Sequence, residues 1–323
     1  MKKLLIISFK EDLHIKPVCS ELDSLHAEYF ILDVNEIHSK YSLGFDSDNL
    51  ETKIVNLQTG SKCILDNSWN IWNRRVVDLD LSELIPPELS KVINDEAKMT
   101  LEGLMFSHSG TVINDPRSNY RARNKLEQIK VAKTIGQDIK IPDTLISNNP
   151  EKIKEFHAKH KRICFKLQKG AIIDREGKIF TVMTNLVKEK HISDADILRQ
   201  CPRMFQEYIE KDFEIRVTAI GDEIMGTAIH SQESILSKID YRRYDFNVPY
   251  RSIKLPRKVE DFCRLMLQNY GLRFGTFDFI KSKKDEFVFL EINPNGQWLW
   301  LEQLTGFKIS KVLADYFIKN HTD

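Results

Sequence analysis

The fold of this chain is decided by the stretch Gly275-Thr-Phe-Asp278-Phe-Ile-Lys-Ser-Lys-Lys-Asp-Glu-Phe-Val-Phe-Leu-Glu291-Ile-Asn293-Pro-Asn-Gly296. The pattern predicts two apolar strands joined by a charged turn. Because side chains alternate along a strand, Glu291 and Asn293 project from the same face. A turn centred on Lys284-Asp285 places Asp278 directly across from Glu291, with their Cβ atoms about 4.5–5.5 Å apart.

Asp278, Glu291 and Asn293 together offer two carboxylates and an amide oxygen on one face. Mg²⁺ prefers such oxygen ligands while it keeps waters and phosphate oxygens. The neighbouring residues are strongly apolar, and a carboxylate buried among them without a cation carries a large desolvation cost. The alternative is a pair of ordinary surface carboxylates. The apolar flanks favour a metal or another cationic partner.

The rest of the chain predicts three units. A strand–helix–strand order in residues 1–75 (Leu4–Ser8, Ile15–Ala27, Tyr29–Val34) indicates an N-terminal α/β domain, placed at residues 1–112. A central unit at 113–200 opens with a helix, for which Ser118 is the expected N-cap and Gly136 the stop signal. Residues 201–323 predict a mostly antiparallel α+β body.

Composition excludes several classes of partner. Hydrophobic residues make up 41%, charged residues 29%, and the formal net charge is +1. So small a charge predicts neither nucleic acid nor an anionic membrane as a partner. No stretch approaches the ~20 apolar residues of a membrane span. The five dispersed cysteines suit reduced thiols in the cytoplasm.

The pattern Asp278…Glu291-x-Asn293, followed by Pro-Asn-Gly, resembles the metal-binding strands of the ATP-grasp superfamily. The resemblance implies that these three residues are catalytic and hold two Mg²⁺ ions against the phosphates of ATP. It also implies an ATP-grasp fold, with an N-terminal α/β pre-ATP-grasp domain, a central domain and a mostly antiparallel C-terminal catalytic domain.

Two lysines match the nucleotide-binding lysines of that superfamily. Lys125 stands in Ala-Arg-Asn-Lys-Leu, and Lys166 stands alone in the apolar strand Ile-Cys-Phe-Lys-Leu. An ammonium in an apolar strand needs an anion, which a phosphate supplies. The alternatives are a solvent-facing helix lysine at position 125 and a lysine at the edge of the core at position 166.

The stretch Gln206-Glu207-Tyr208-Ile209 resembles the hinge that carries adenine through its backbone. Glu214, seven residues beyond Glu207, stands where the family often places the carboxylate for the ribose hydroxyls. Arg216 is implied to reach phosphate or the acyl-phosphate intermediate as a catalytic residue. Its alternative role is a cross-strand ion pair.

A narrower resemblance is to the microviridin-type (graspetide) ATP-grasp peptide ligases. The motifs that carry it are Trp72-Asn-Arg74-Arg75, Asn114-Asp-Pro116, the hinge, Ala228-Ile-His-Ser-Gln232 and Glu291-Ile-Asn-Pro-Asn-Gly-Gln-Trp298. That branch is implied to close side-chain ester or amide rings in a ribosomally made precursor peptide, through an acyl phosphate. A homodimer is also implied. Many ATP-grasp enzymes carry a glycine-rich loop over the phosphates, whereas residues 168–177 of this chain hold only two glycines.

In the same branch a leader segment of the precursor docks on a hairpin and the following helix. The corresponding stretches are Ala171–Val187 and Ser193–Gln200. Asp194 and Asp196 are the expected contacts for a cationic leader residue, although Ser193-Asp-Ala-Asp196 also fits a capping box. Arg242 is a candidate peptide contact, and a brace between domains is its alternative, as it is for Arg74.

Two other functions share the same nucleotide residues. One is an ATP-grasp ligase that conjugates free amino acids to a protein or peptide. The other is a non-catalytic nucleotide-binding regulator. The ring-closing ligase removes water from a peptide, the conjugating ligase adds mass to it, and the regulator changes neither peptide nor ATP.

Overall fold

The computed structural model describes residues 1–77, 85–170, 172–175, 178–243, 248–319 and 321, without the side chains at positions 87, 172–175 and 178–181. Among the described residues, no helix is long and apolar enough to cross a membrane.

The N-terminal unit is built on a parallel sheet of order β2-β1-β6-β7, which confirms the predicted α/β start. Its elements are β1 (Lys3–Ser8), α1 (Ile15–Ser24), β2 (Tyr29–Asp33), α2 (Ile37–Lys40), β3 (Tyr41–Asp46), β4 (Glu51–Asn56), β5 (Lys62–Leu65), β6 (Trp69–Asn73), α3 (Pro87–Ser107) and β7 (Val112–Ile113). Strand β1 is buried on both faces. Leu4 and Ile6 join one hydrophobic cluster, whereas Leu5 and Ile7 join another that includes Leu101 of α3.

A three-stranded antiparallel sheet, β3-β4-β5, packs beside this parallel sheet. The sequence pattern predicts neither β3 nor β4. Strands β3 and β4 are largely polar and partly exposed, and Ile54 is their fully buried residue. So few buried positions give little of the period-two signal on which strand prediction depends.

Two helices replace the single helix expected after residue 116. They are α4 (Pro116–Ala122) and α5 (Lys125–Ile135). Ser118 is not the N-cap. The Asp115 side chain caps α4, and the Asn124 side chain caps α5 by accepting from the Glu127 N–H at 3.1 Å. The break places Lys125 in the first turn of α5. Gly136, with φ of 69°, ends α5 as predicted.

The central sheet has the order β12-β9-β13-β8, with antiparallel pairs throughout. Its elements and their companions are β8 (Thr144–Ser147), α6 (Pro150–His160), β9 (Ile163–Lys166), β10 (Ile172–Arg175), β11 (Lys178–Thr181), β12 (Asn185–Leu186), α7 (Ala195–Arg199) and β13 (Arg203–Glu207). Strands β10 and β11 form the predicted hairpin. Ala171 and residues 176–177 of the predicted hairpin lie outside the described residues.

The C-terminal sheet is antiparallel, of order β16-β15-β14-β17-β18. Its elements are β14 (Lys211–Ile220), β15 (Glu223–Ile229), β16 (Tyr250–Ile253), α8 (Arg257–Tyr270), β17 (Phe274–Ser282), β18 (Phe287–Asn293), α9 (Leu299–Thr305) and α10 (Ile309–Phe317). Phe262 of α8 packs against Phe279 and Phe289, which covers one face of the sheet. The opposite face carries the candidate site.

Candidate active site

Asp278 and Glu291 pair across β17 and β18, as the sequence predicted. The position of the turn and the strand register differ from the expectation. Lys281 pairs with Phe287, so the turn is centred on Lys284. A bulge between Asp278 and Phe279 then restores the pairing, with Leu290 as the extra residue. Without the bulge, Asp278 would face an apolar side chain.

Arg216 lies beside Asp278 on the adjacent strand β14. Its Nη1 atom donates to both carboxylate oxygens of Asp278 at 2.8 Å. Burial lowers the pKa of Arg216, but the Asp278 charge and hydrogen bonds raise it above the ordinary value. Tyr241 donates to Asp278 from its hydroxyl at 3.3 Å, a contact that the sequence did not indicate. The cross-strand ion pair that is the alternative role of Arg216 is therefore present.

Lys125 donates to Oε2 of Glu291 in a short ion pair. The Glu291 side chain is only 25% exposed. Burial alone would raise the pKa of Glu291, but Lys125, with Arg242 and Lys166 further away, holds it at about 2. Each acidic residue of the predicted metal set thus faces a cation. In the chain alone, these cations supply the positive charge that two buried carboxylates require.

Gln128 fixes the backbone of β18 next to Glu291. The buried amide of this α5 residue donates to the Ile292 carbonyl at 3.0 Å and accepts from the Ile292 N–H at 3.0 Å. It also donates to the Ala122 carbonyl at 2.6 Å. Because β18 is the edge strand of its sheet, Gln128 satisfies backbone groups that would otherwise be unpaired. Nothing in the sequence pattern marks this glutamine.

The predicted metal ligands fit a magnesium–nucleotide site by their donor chemistry. Asn293 follows on the same face as Glu291, pairs in register with Thr276 and accepts from the Asn295 N–H at 3.1 Å. In the described part of the chain, no cluster of three or more His, Cys, Asp or Glu residues could hold a metal by itself. The set therefore needs phosphate oxygens and waters to complete a shell, as Mg²⁺ sites commonly do.

The second predicted lysine lies at the hinge end of the same cavity. Lys166 donates to Oε1 of Gln206 at 2.7 Å, and the Gln206 amide donates to the Thr144 hydroxyl at 3.0 Å. Burial lowers the pKa of Lys166. The hydrogen-bond partner of Lys166 is thus a neutral amide and not a carboxylate, and the lysine lines the cavity wall.

Two backbone N–H groups of the hinge already donate hydrogen bonds within the protein. The N–H groups of Glu207 and Tyr208 donate to the carbonyls of Asp143 and Arg162 at 2.9 and 3.0 Å. A base at this hinge would therefore bond to other backbone groups, such as those of Ile209.

Glu214 is buried and held by two partners that sequence analysis missed. Lys211 donates to its Oε1 at 2.5 Å, and the Ser231 hydroxyl donates to Oε2 in a short hydrogen bond. Lys211 also donates to the Ile239 carbonyl at 2.9 Å. Burial raises the pKa of Glu214, and Lys211 opposes that shift. Ser231 lies in the Ala228–Gln232 motif, which gave it no role, and no motif covers Lys211.

One cavity of about 890 Å³ brings these groups together. It is lined by Lys125, Lys166, the hinge residues Gln206 to Ile209, Glu214, Arg242, Asp278, Glu291 and Asn293. A volume of this size is typical of a ligand pocket. The arrangement provides a hinge at one end, cations along the wall and carboxylates at the other end.

The candidate peptide contacts lie in different places. Asp194 is the N-cap of α7 and accepts from the N–H groups of Asp196 and Ile197 at 3.0 Å, so it, and not Ser193, caps this helix. Asp196 is 96% exposed and lies 3.6 Å from Arg199. Arg242 lines the cavity, where Asp240 holds it through bonds of 2.8 and 2.6 Å.

The motifs at Arg74 and Asn114 connect the N-terminal unit to the end of β18. Arg74 donates to Asp12 at 2.9 Å and to the Asn295 carbonyl at 3.2 Å. The Asn114 side chain donates to the carbonyls of Phe274 and Pro294 at 2.8 and 2.9 Å. These contacts support the bracing alternative for Arg74.

Known proteins resemble this chain over nearly its whole length. Residues 3–121 match the family described as the MvdD pre-ATP grasp domain. A RiPP-associated ATP-grasp ligase of Chryseobacterium gregarium, solved with ADP and a leader and core peptide, is 32% identical with a TM-score of 0.89, over 98% of this chain and 96% of that one. Among curated protein sequences, no significant match exists.

Two Microcystis aeruginosa macrocyclases are also similar. MdnC, solved with its precursor peptide MdnA, is 26% identical with a TM-score of 0.87, over 98% of this chain and 99% of MdnC. MdnB is 26% identical with a TM-score of 0.80 over the same shares. With these similarities and the geometry above, the chain belongs to the family of RiPP-associated ATP-grasp ligases.

Proposed function

We propose that this protein uses ATP and Mg²⁺ to join two side chains of a ribosomally made precursor peptide into a ring. A carboxylate oxygen of the peptide attacks the γ-phosphorus of ATP, and ADP leaves. A Thr or Ser hydroxyl, or a Lys amine, then attacks the acyl carbon, loses its proton, and releases phosphate. Each new ester or amide removes the elements of one water from the peptide.

The observation that carries this proposal is the pairing of Asp278 with Glu291 in a cavity that also contains the hinge and both lysines. Asp278, Glu291 and Asn293 would hold Mg²⁺, which supplies Lewis-acid stabilisation of the transferring phosphoryl group. Lys125 and Lys166 would bind phosphate oxygens, and Glu214 the ribose. Arg216 lies beside Asp278, where its charge would stabilise the acyl phosphate.

The peptide's leader segment is proposed to dock on the β10-β11 hairpin and α7, with Asp196 as an exposed carboxylate. Asp194 is a weaker candidate because its carboxylate already caps α7. The domain boundaries at 112 and 200, a homodimer and a cytoplasmic location remain predictions. The five free cysteines agree with a reducing compartment.

The test is the intact mass of a precursor peptide encoded near this gene, after incubation with the protein, ATP and Mg²⁺. Loss of one water per ring, dependent on ATP, is expected. The Glu291→Gln variant should leave the peptide unchanged. A gain of mass that requires added free amino acids would instead identify a conjugating ligase and overturn the proposal.

A further inference from the structure

Arg123 stands apart from the other arginines of its segment. Arg117 pairs with Asp115 at 2.9 Å, and Arg121 pairs with Glu127 at 2.8 Å. Among the residues that the structure describes, no carboxylate forms an ion pair with Arg123. Its side chain lines the cavity, at the break between α4 and α5.

The guanidinium of Arg123 contacts the loop that follows the predicted metal ligands. In the amide orientation that suits its neighbours, Asn295 accepts from Nη2 of Arg123 at 3.1 Å. Arg74 donates to the main-chain carbonyl of the same asparagine. Burial and the neighbouring Arg75 guanidinium both lower the pKa of Arg123. In the described part of the chain, the partner of the Arg123 guanidinium at the cavity is thus an amide oxygen and not a carboxylate, an arrangement that favours anion binding.

The position of Arg123 along β18 indicates which anion it receives. Ile209 of the hinge packs against Ile280 and Val288, so the base end of the cavity lies at the start of β18. Glu291 and Asn293 follow along the strand, and Asn295 lies beyond them. Arg123 is therefore on the far side of the metal ligands from the hinge, where the group that accepts the phosphoryl must approach. The exposed ring of Tyr120, 82% accessible, borders the cavity beside it.

We infer that Arg123 binds the substrate peptide's carboxylate before that carboxylate is phosphorylated. This inference rests on the proposed function and names the residue that would select an acidic side chain. A planar guanidinium matches a carboxylate in shape and charge, and it would hold the carboxylate next to the Asn295 loop.

The test compares Arg123→Gln with Arg121→Gln, a matched control two residues away whose partner is Glu127. With the precursor peptide as substrate, kcat/KM for the peptide should fall ~10-fold or more in Arg123→Gln, while KM for ATP stays the same. Arg123→Lys should recover part of the loss. Arg121→Gln should behave as the wild-type protein, and thermal melting identifies any variant that fails to fold.

A binding measurement separates this inference from the proposed function. Fluorescence anisotropy, with ADP and Mg²⁺ present, would compare a labelled precursor with one whose core Asp and Glu residues are changed to Asn and Gln. The wild-type protein should bind the acidic peptide more tightly, and Arg123→Gln should bind both equally. If Arg123→Gln keeps the preference, the inference is wrong, even where the wild-type protein closes rings. If the wild-type protein removes no water, the proposed function itself fails.

Discussion

The amide of Gln128 makes a two-way hydrogen bond with the backbone of Ile292, the residue between Glu291 and Asn293. Helix α5 also carries Lys125, so the same helix fixes both the backbone and the charge of the predicted metal strand. A small displacement of this helix would therefore change the positions of both ligands together.

Replacing Gln128 by Met should raise the Mg²⁺ concentration that the reaction requires more than it raises the required ATP concentration. The change leaves the Ile292 N–H and carbonyl unpaired, at a cost of about 1–3 kcal/mol. The Mg²⁺ concentration for half-maximal ADP formation should rise several-fold, and the ATP requirement at saturating Mg²⁺ should change little. Gln268→Met, at an exposed position on α8, is the control. An unchanged Mg²⁺ requirement in a folded Gln128→Met protein would argue against a positioning role.

Arg216→Gln should lower the rate of ADP formation with the precursor peptide by about 10²–10³-fold. The variant removes a buried guanidinium from beside Asp278, where the proposed acyl phosphate would form. Arg257→Gln, which changes an arginine that is 92% exposed, should keep the wild-type rate. Equal rates in the two variants would exclude Arg216 from the reaction.

The Lys125–Glu291 pair predicts a pH-dependent contribution to stability. The pKa of Glu291 is about 2 in the folded chain, against 4.5 as its ordinary value. A lowered pKa means that the contribution is complete above pH 4.5 and is lost as the pH falls toward 2. In metal-free protein, Lys125→Met should therefore be less stable than the wild-type protein at pH 6, by about 1–3 kcal/mol. That difference should shrink between pH 4.5 and 3, measured by urea denaturation. A constant difference across this range would contradict the assignment.

Asn114→Ala should destabilise the junction between the N-terminal unit and the C-terminal sheet. Besides its two donor bonds, the Asn114 side chain accepts from the N–H groups of Arg273 and Phe274 at 2.8 and 3.1 Å. Leaving these buried groups unpaired should cost on the order of 3 kcal/mol, seen as a lower urea midpoint. Asn269→Ala, at an exposed helix position, is the control. Equal midpoints for the two variants would show that Asn114 is not a brace.

The part of the site that the sequence could predict is local. Asp278 and Glu291 belong to one hairpin, so strand alternation and the turn position were enough to bring them together. The bulge at Leu290 was not predictable, because Phe287 to Leu290 form an unbroken apolar run that shows no change of pattern. The α/β fold of the N-terminal unit was predictable for a similar reason, since β1 and β2 are short apolar runs.

Single contacts between segments that are far apart in the sequence could not be predicted. Gln128 and Ile292 are separated by 164 residues, and a lone glutamine carries no spacing signal. Ser231 bonds Glu214 from another segment in the same way, whereas Lys211 lies only three residues from Glu214 on β14. The helix break at Arg123-Asn124 was missed because the apolar face continues on both sides of it. That break is what turns Arg123 and Lys125 toward the cavity.

The most direct test of the central claim is the fate of a heavy-oxygen label in the peptide's carboxylates. If this site activates a carboxylate by phosphorylation, each ring closure transfers one labelled oxygen to the released phosphate, which mass spectrometry of the phosphate would detect. Labelled phosphate in proportion to the water lost from the peptide is the predicted result. Unlabelled phosphate, formed while rings close, would contradict the acyl-phosphate route and with it the function assigned to Asp278, Glu291 and Arg216.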